Sequence, residues 1–467
     1  MASLNKITRP MATKARVVSV NAEGTPVKVL TSMQELRRTV LSYMLWEDDF
    51  YEDGKSITGR IADLVGKLCT TEPESVASLA IEAREQFNLR HVPLLIVREM
   101  ARSTNTKAKL LVGATLATVI QRPDELTEFL AIYWKDKKQP LSAQVKKGLA
   151  AASLKFNEYS LAKYNRKGVV NLKDVIKLVH PKPINKQGEN LFGRLLKDEL
   201  DTPDTWEVAL SAGKDKKETF TRLMKEGALG AMAVLKNLRN MEQAGVDRDL
   251  ISHTITTMDV RRVLPFRFIS AAKYAPSLEP ALEVAMLKAL AGMSKLKGCT
   301  ALVIDKSGSM KQATVSLKSE LTRLDAAAAL AILAREICED VRVFAFSDRA
   351  AEIPARHGFA LRDAILKFPD GGSRGGLAVD LANKAAYDRI IVITDGQWHT
   401  SAVGTNLGWD APMGDAKIVS PAPLTDKAYM LNVGTYKNGV GYGKWFALDG
   451  WSESVLQYIS GIESMKG

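Results

Sequence analysis

Cysteine and histidine are scarce in this 467-residue chain, which has three cysteines and five histidines. The cysteines stand far apart, at Cys69, Cys299 and Cys338, and no two of them have the spacing of a metal-binding pair. A disulfide framework and a zinc site of the Cys-x-x-Cys kind are therefore not expected. The plain interpretation is a reducing compartment, and we expect a cytoplasmic protein.

Long apolar runs are also missing, since none approaches the roughly 18 residues that a membrane-spanning helix needs. The best candidate, Ala326 to Ala334, is half that length and is followed by Arg335 and Glu336. It is typical of a buried helix, so no membrane association is predicted. The first 29 residues are basic, with no acidic residue before Glu23 and no apolar secretory core, and we expect a flexible basic arm there.

Motifs of the common enzyme classes are absent as well. The sequence has no Walker loop and no H-E-x-x-H pair. Few histidines remain to act as general bases, and none stands in a nucleolytic motif. We therefore expect a binding protein and not an enzyme.

Positive charge is abundant, and it is concentrated in one part of the chain. The net charge is +12, but residues 298–467 contain 18 basic and 19 acidic residues, while residues 1–297 contain 47 basic and 34 acidic ones. The first two-thirds thus have a net charge of +13, against −1 for the rest. Such an asymmetry suggests a part that binds a polyanion such as RNA, joined to a part with another task.

Residues 30–297 have helical periodicity almost throughout. In the first segment Leu30, Met33, Leu36 and Val40 recur at three- and four-residue steps, with Thr31 or Ser32 as the expected cap. About nine further amphipathic segments follow, many of them separated by proline or glycine. No motif recurs at a fixed period, but the density of paired helices favours a HEAT-like array, with an irregular bundle as the competing fold.

Residues 298–467 alternate between short apolar strands and helices. Strands are predicted at 300–304, 341–346, 389–394, 428–433 and 445–448, with helices at 317–338 and 452–462. Buried strands that alternate with helices indicate a doubly wound, parallel α/β sheet. The predicted fold class is thus α plus α/β in two domains.

Oxygen-bearing side chains follow the predicted strands of this second domain. Asp305 ends the first strand, with Ser307 and Ser309 after it, and Asp395 ends the strand at 389–394. Ser373 lies in a glycine-rich loop. Ligands of open α/β sheets bind at the carboxyl ends of the strands, so we expect these side chains to lie together. An all-oxygen set suits Mg²⁺ or Mn²⁺, and an acidic group of a partner would complete the coordination.

The combination Asp-x-Ser-x-Ser, a Gly-Gly-hydroxyl loop and Thr-Asp resembles the metal-ion-dependent adhesion site of a von Willebrand factor A domain. The resemblance implies that Asp305, Ser307, Ser309, Ser373 and Asp395 are the metal ligands. Ser373 stands where the family usually has threonine, which keeps the hydroxyl. Residues 397–426 are rich in proline and glycine and lack the helix expected there.

The order of the domains, and several segments along the chain, resemble the Ro 60 kDa autoantigen family. In that family a TROVE module of helical repeats precedes an A domain. The segments are LRRTVL, NLRHVPLLIVREMAR, LAKYNRKG followed by LVHPKP, TWEVALSAG, VLPFRFISAAKY, FSD and DGWSESVLQYI. The resemblance implies a ring of helical repeats sealed by the A domain. It implies small noncoding Y RNAs and single-stranded 3′ ends of defective RNAs as ligands, and an exoribonuclease or RNA-repair ligase as partner.

The candidate RNA-binding residues are basic side chains of the helical part. The resemblance implies roles for Lys163 and His180, and for either Arg166 or Lys167, because the loop there is one residue out of register. The full set is Lys163, Arg166, Lys167, His180, Lys182, Lys236, Arg239, Arg261, Arg262 and Arg267. Each would otherwise be an ordinary solvated residue of a helix surface.

Two other functions remain open at this point. The first is a metal-dependent protein-adhesion scaffold without RNA. The second is a subunit whose A domain docks an acidic residue of an AAA+ ATPase.

Overall fold

The computed structural model describes residues 19–22, 24–43, 52–165, 168–183, 185–291, 293–314, 320–399 and 422–466. Arg166, Lys167 and most of the proline- and glycine-rich segment after Gln397 lie outside these ranges. No helix within the described ranges has both the length and the apolar character to cross a membrane.

The first domain consists of sixteen described α-helices. They are α1 Ser32–Leu41, α2 Gly54–Thr71, α3 Pro73–Glu85, α4 His91–Arg102, α5 Thr106–Val119, α6 Pro123–Tyr133, α7 Ala143–Ser153, α8 Glu158–Tyr164, α9 Leu172–Val179, α10 Lys186–Lys197, α11 Trp206–Ser211, α12 Lys216–Lys225, α13 Ala231–Gln243, α14 Arg248–Thr257, α15 Phe266–Tyr274 and α16 Glu279–Leu287. Short polar side chains cap many of them. Thr31 caps α1 in a capping box with Gln34, so the cap is Thr31 and not Ser32.

Helices in this domain stack on neighbours that lie two positions away along the chain. Helix α2 packs on α4 and α4 on α6, while α3 packs on α5 and α5 on α7. Two parallel layers result, with a continuous apolar seam between them. This is the arrangement of a HEAT-like repeat array, and it differs from a bundle that surrounds one central core.

The second domain contains a six-stranded sheet with helices on both faces. Its strands are β3 Leu296–Asp305, β4 Cys338–Phe346, β5 Ala350–Ile353, β6 Arg389–Thr394, β7 Ala428–Asn432 and β8 Phe446–Asp449, with helices α17 Gly308–Gln312, α18 Arg323–Ile337, α19 Gly358–Lys367, α20 Gly375–Asn383 and α21 Ser454–Lys466. The strand order is β5-β4-β3-β6-β7-β8, and all neighbours are parallel except β4 and β5. The predicted doubly wound sheet is confirmed, with an additional antiparallel edge strand.

Alternate residues of the central strands enter two different cores. Leu302 and Ile304 of β3 belong to the large core that also contains the helical array. Ala301 and Val303 face the opposite way, into a smaller core with Trp398. The sheet is therefore covered on both faces, as its continuous apolar strands require.

Helix α1 docks on the α/β domain through a buried arginine. The Arg38 side chain is fully buried; its Nη2 donates to the Asp395 carbonyl at 3.0 Å and its Nε to the Tyr436 carbonyl at 3.2 Å. A Cβ at Gly396 or Gly439 would lie only 2.3 Å from Arg38 Nη2. Glycine at these two positions leaves the space that the guanidinium occupies.

The other end of the helical array meets the same domain. Helix α15 packs against α18, where Lys273 Nζ lies 2.8 Å from the carboxylate of Asp325. The rings of Phe266 and Trp451 meet edge to face at 5.7 Å. Because both ends of the array contact one α/β domain, the helices form a ring that this domain seals.

Residues 19–29 fall within the arm that we expected to be flexible, and they are packed where the structure describes them. Strands β1, Ser19–Val20, and β2, Pro26–Val27, pair in antiparallel fashion. The Asn21 amide and the Thr25 hydroxyl both donate to the Trp398 carbonyl, at 3.0 and 2.8 Å. This hairpin is therefore attached to the rim of the sheet.

Candidate metal centre and nucleic-acid interface

Asp305 and the two serines after it are held at the carboxyl end of β3. Asp305 Oδ1 accepts from the Ser307 backbone N–H at 2.9 Å, and Oδ2 accepts from the Thr394 hydroxyl at 2.5 Å. The hydroxyl oxygens of Ser307 and Ser309 lie 3.1 Å apart. The carboxylate is thus oriented by two strand ends, and the hydroxyls share one side of the loop.

Ser373 and Asp395 reach the same rim from other loops. Asp395 directly follows β6, the neighbour of β3, and its Oδ1 accepts from the Gln397 backbone N–H at 3.0 Å. The Ser373 hydroxyl donates to the Gln397 carbonyl at 2.7 Å. Two residues before Ser373, Gly371 bridges to Ser307. Three loops therefore converge, and all five predicted ligand residues are buried.

The chemistry of this rim fits a hard divalent cation. Two carboxylates and three hydroxyls supply oxygens alone, which Mg²⁺ and Mn²⁺ prefer. The nearest lysine in sequence, Lys306, directs its ammonium away to Asp370 at 2.8 Å and to the Leu366 carbonyl at 2.9 Å. Within the described residues no three His, Cys, Asp or Glu side chains form a ligand cluster, so a softer or carboxylate-rich site has no support there.

Ser347 is an additional hydroxyl at this rim and is not among the candidates from the sequence. It follows β4, and its carbonyl accepts from the backbone N–H of Arg374, beside Ser373. Its hydroxyl is buried and has no hydrogen-bond partner among the described residues. A buried hydroxyl without a partner costs stability, and a bound cation or its water would satisfy it. The sequence contains a signal for this residue, because Ser347 directly follows the apolar strand β4.

Three of the predicted RNA-binding residues share one concave surface. Lys236 and Arg239 on α13 and Arg267 on α15 line a cavity of about 350 Å³. Lys236 has an exposed side chain, yet burial lowers the pKa of its ammonium, and burial likewise lowers the pKa of Arg267. An exposed side chain with a pKa lowered by burial is expected where water reaches the cation but protein surrounds it on several sides. These residues therefore lie on a concave wall.

Basic residues from the first half of the array lie close to this wall. After burial, the positive charges of Arg267, Arg122 and Arg90 also lower the pKa of Lys236, while the Glu207 carboxylate raises it. Arg122 precedes α6 and Arg90 precedes α4, about 110 to 150 residues earlier in the chain. Neither arginine is among the candidates from the sequence, because only the curvature of the array brings them near α13.

Lys163 is connected to the same surface through aromatic rings. Its ammonium lies 5.7 Å from the Tyr159 ring centroid and 6.0 Å from that of Tyr164, and the Arg122 guanidinium lies 4.6 Å from the Tyr164 ring. Such distances are those of cation–π contacts. Arg122 thus links Lys163 with the neighbourhood of Lys236.

Carboxylates already neutralise part of this positive charge. Arg90 is 3.0 Å from Asp124 and 3.0 Å from Glu128, and Arg122 is 2.8 Å from Asp124. For Lys236, Arg239 and Arg267, in contrast, no ion pair occurs among the described residues. These three, which we call the α13–α15 cluster, therefore carry the uncompensated charge of the wall.

The remaining candidates lie elsewhere. His180 is the C-cap of α9 in the left-handed conformation, with φ 48°, and both His180 and Lys182 are exposed. Arg261 and Arg262 are exposed in the turn before α15, where Arg261 pairs with Asp259 at 2.7 Å and, mainly through this hydrogen bond, lowers the pKa of Asp259 to about 2. The described candidates thus lie in three places. One group lies around α13 and α15 together with Lys163, one follows α9, and one lies in the turn before α15. Arg166 and Lys167 are outside the described residues.

Comparisons with known proteins agree with this architecture. The TROVE domain family matches residues 188–329, which run from α10 into α18. No curated protein matches the chain. The crystal structure of Deinococcus radiodurans RO (RSR) protein superposes with a TM-score of 0.56 and 17% sequence identity, over 92% of this chain and 98% of that one. The chain therefore has a TROVE match over residues 188–329 and shares the fold of the Deinococcus radiodurans RO (RSR) protein along nearly its whole length.

Proposed function

We propose that this protein binds RNA through its helical ring, as the Ro resemblance suggests. The observation that carries the proposal is the α13–α15 cluster, in which three cations share a concave surface without carboxylate partners. Phosphates of RNA would neutralise these charges and release counterions. A concave wall admits a single strand more readily than a broad, stiff duplex, so unpaired RNA is the preferred ligand.

The finer assignment concerns the class of RNA. We propose small noncoding Y-like RNAs and the single-stranded 3′ ends of structured or defective RNAs, in a role in RNA quality control. The exposed positions of His180 and Lys182 suit contacts with a structured RNA, whereas the concave wall suits a 3′ end. An exoribonuclease or an RNA-repair ligase would then act on the bound RNA in the cytoplasm, while this chain itself performs no catalysis.

The rim of the α/β domain is proposed to hold Mg²⁺ or Mn²⁺. Asp305, Ser307, Ser309, Ser373 and Asp395 would bind it, and the ion would supply a Lewis-acidic position for an acidic group of a partner. The residues of the chain fix the geometry, because Thr394 orients Asp305 and the Gln397 backbone orients both Asp395 and Ser373. The proposed division of labour is RNA on the ring and an acidic ligand on the metal.

The RNA proposal is tested by reversing charge in the α13–α15 cluster. Lys236→Glu with Arg239→Glu alters two exposed side chains, and Lys216→Glu with Lys217→Glu on α12 is the matched control of equal charge. Affinity for a 5′-labelled single-stranded RNA is measured over a range of salt concentrations. Loss of two phosphate contacts should reduce the slope of log K against log salt by about 1.4, at about 0.7 per contact.

Equal affinities and slopes for the two double variants would place the RNA elsewhere. Sequencing of the RNA that copurifies with the protein identifies the ligand class. If the wild-type protein retains no RNA, while Asp305→Ala loses a protein partner, the chain is instead an adhesion scaffold or an AAA+ partner.

A further inference from the structure

A second concave surface lies between the α6–α7 connection and α9, and it contains none of the candidate residues above. The cleft has a volume of about 650 Å³. Its apolar lining includes Trp134, Leu141, Val170 and Leu178. The volume is several times that of a nucleobase, so the cleft has room for a base together with its sugar and phosphate.

The indole of Trp134 is held in place at this cleft. Its Nε1 donates to the Gln139 carbonyl at 2.8 Å, which fixes the plane of the ring. The Lys138 ammonium lies 5.4 Å from the ring centroid. Trp134 is partly buried against the core, and a partly buried ring with a fixed plane is a stacking platform that loses little entropy when a flat ligand binds.

Positive charge surrounds the apolar lining. Lys138, Lys146 and Lys177 line the cleft from the connection, from α7 and from α9, and they have no ion pair among the described residues. The one acidic side chain of the lining, Asp174, is already engaged, since its Oδ2 accepts from the Asn171 backbone N–H at 2.9 Å. With three lysines against one carboxylate, the lining keeps a net positive charge, and the cleft therefore attracts anions.

Apolar side chains remain exposed at the edge of the cleft. Val169 is fully exposed, and Leu178 is 36% exposed. A ligand that combines flat apolar faces with negative charge at every repeat would cover them and satisfy the lysines together. A single nucleic-acid strand has this chemistry, whereas a duplex keeps its base faces stacked inside.

We propose that this cleft is a second RNA site, which captures unpaired nucleotides by stacking a base on Trp134 while the three lysines contact the adjacent phosphates. The inference rests on the proposed RNA-binding function and adds a base-stacking subsite on a surface distinct from the α13–α15 cluster. A structured RNA would present an unpaired bulge or loop to it.

The test uses the full-length chain and a 12-nucleotide oligouridine, with a blunt RNA duplex of equal length as the comparison. Binding is measured in the Lys236→Glu, Arg239→Glu background, in which the α13–α15 cluster is disabled. Trp134→Ala should lower the affinity for oligouridine at least fivefold, since one stacked base contributes about 1–3 kcal/mol. Trp134→Phe keeps an aromatic face and should retain most of the affinity.

Charge is tested separately. Lys138→Glu with Lys146→Glu should weaken oligouridine binding more than the control pair Lys216→Glu with Lys217→Glu does. Photocrosslinking of a 4-thiouridine oligonucleotide, read by mass spectrometry, should mark the peptide that contains Trp134. Thermal unfolding of each variant confirms that the fold is intact.

The outcomes separate this inference from the function on which it rests. If the wild type binds oligouridine, while adding Trp134→Ala to the Lys236→Glu, Arg239→Glu background does not change the affinity and no crosslink maps to the cleft, the second site is refuted and RNA binding stands. If the wild type binds neither RNA, the proposed function itself fails. If poly-glutamate binds with the same dependence on Trp134 and oligouridine does not compete, the cleft is a site for acidic peptides and the inference is overturned.

Discussion

Replacement of Arg38 should break the contact by which α1 closes the ring. Its guanidinium is fully buried, donates to two carbonyls and lies 3.8 Å from the Asp449 carboxylate. Asp449 is itself only 5% exposed. Removal of one partner of a buried pair leaves the other charge uncompensated, which costs about 3–5 kcal/mol. Arg38→Met keeps most of the apolar stem, so the loss reports the charge and its hydrogen bonds.

The stability loss caused by Arg38→Met should depend on pH. Burial raises the pKa of the Asp449 carboxyl, and the Arg38 charge is the main opposing effect. Without Arg38 this pKa should rise further. A group whose pKa is higher in the folded state than in the unfolded state stabilises the fold as the pH falls through the folded pKa. The stability deficit of Arg38→Met should therefore shrink between pH 7 and pH 5.

The assay is urea unfolding at both pH values, followed by a double-mutant cycle. Asp449→Asn in the Arg38→Met background removes the buried charge and should recover a large part of the deficit. Arg37→Met is the control on the same helix, since Arg37 is 37% exposed in its pair with Glu82 and should cost about 1 kcal/mol or less. A loss that matches the control and does not vary with pH would refute the reasoning.

Three further predictions follow from single contacts. Asp305→Ala should abolish Mn²⁺ binding measured by electron paramagnetic resonance and leave the helical circular dichroism intact; retained stoichiometric binding would refute the site. Glu125→Gln should lower the free energy of unfolding by about 3–5 kcal/mol, because the buried Glu125 pairs with buried Arg84 at 2.8 Å; a change under 1 kcal/mol would contradict this. Gly375→Ala should lower the melting temperature, since its Cβ would lie 1.8 Å from a buried indole, whereas Gly461→Ala in an open helical position should not; equal effects would count against the packing argument.

Much of the α/β domain could be predicted because local patterns determine it. Strand β6 has the predicted limits, Arg389–Thr394, since an uninterrupted apolar run between polar residues leaves little choice. The edge strand β5, Ala350–Ile353, was not predicted, because its four residues show no alternation and its pairing with β4 decides its conformation. The carboxylates at the ends of β3 and β6, Asp305 and Asp395, likewise predicted that the loops after these two strands converge at the rim.

The basic wall was harder to predict because it depends on curvature. Lys236 and Arg239 share a helix, so their proximity follows from the helical repeat alone. Arg90 and Arg122 lie near Lys236 only because each helical pair is rotated relative to the pair before it. No short segment of the sequence encodes that rotation. The cleft at Trp134 was missed for the same reason, since it forms between a connection and a helix that are distant in sequence.

The closure by Arg38 also constrains how the chain is made. Its acceptor at Tyr436 lies 398 residues later, so α1 emerges from the ribosome long before its docking surface exists. At roughly 5–20 residues per second, synthesis of that stretch takes about 20–80 s. Throughout that interval the docking face of α1 has no native partner. The nascent chain is therefore an open arc whose first helix packs only on its neighbours α2 and α3 until the last strands are complete.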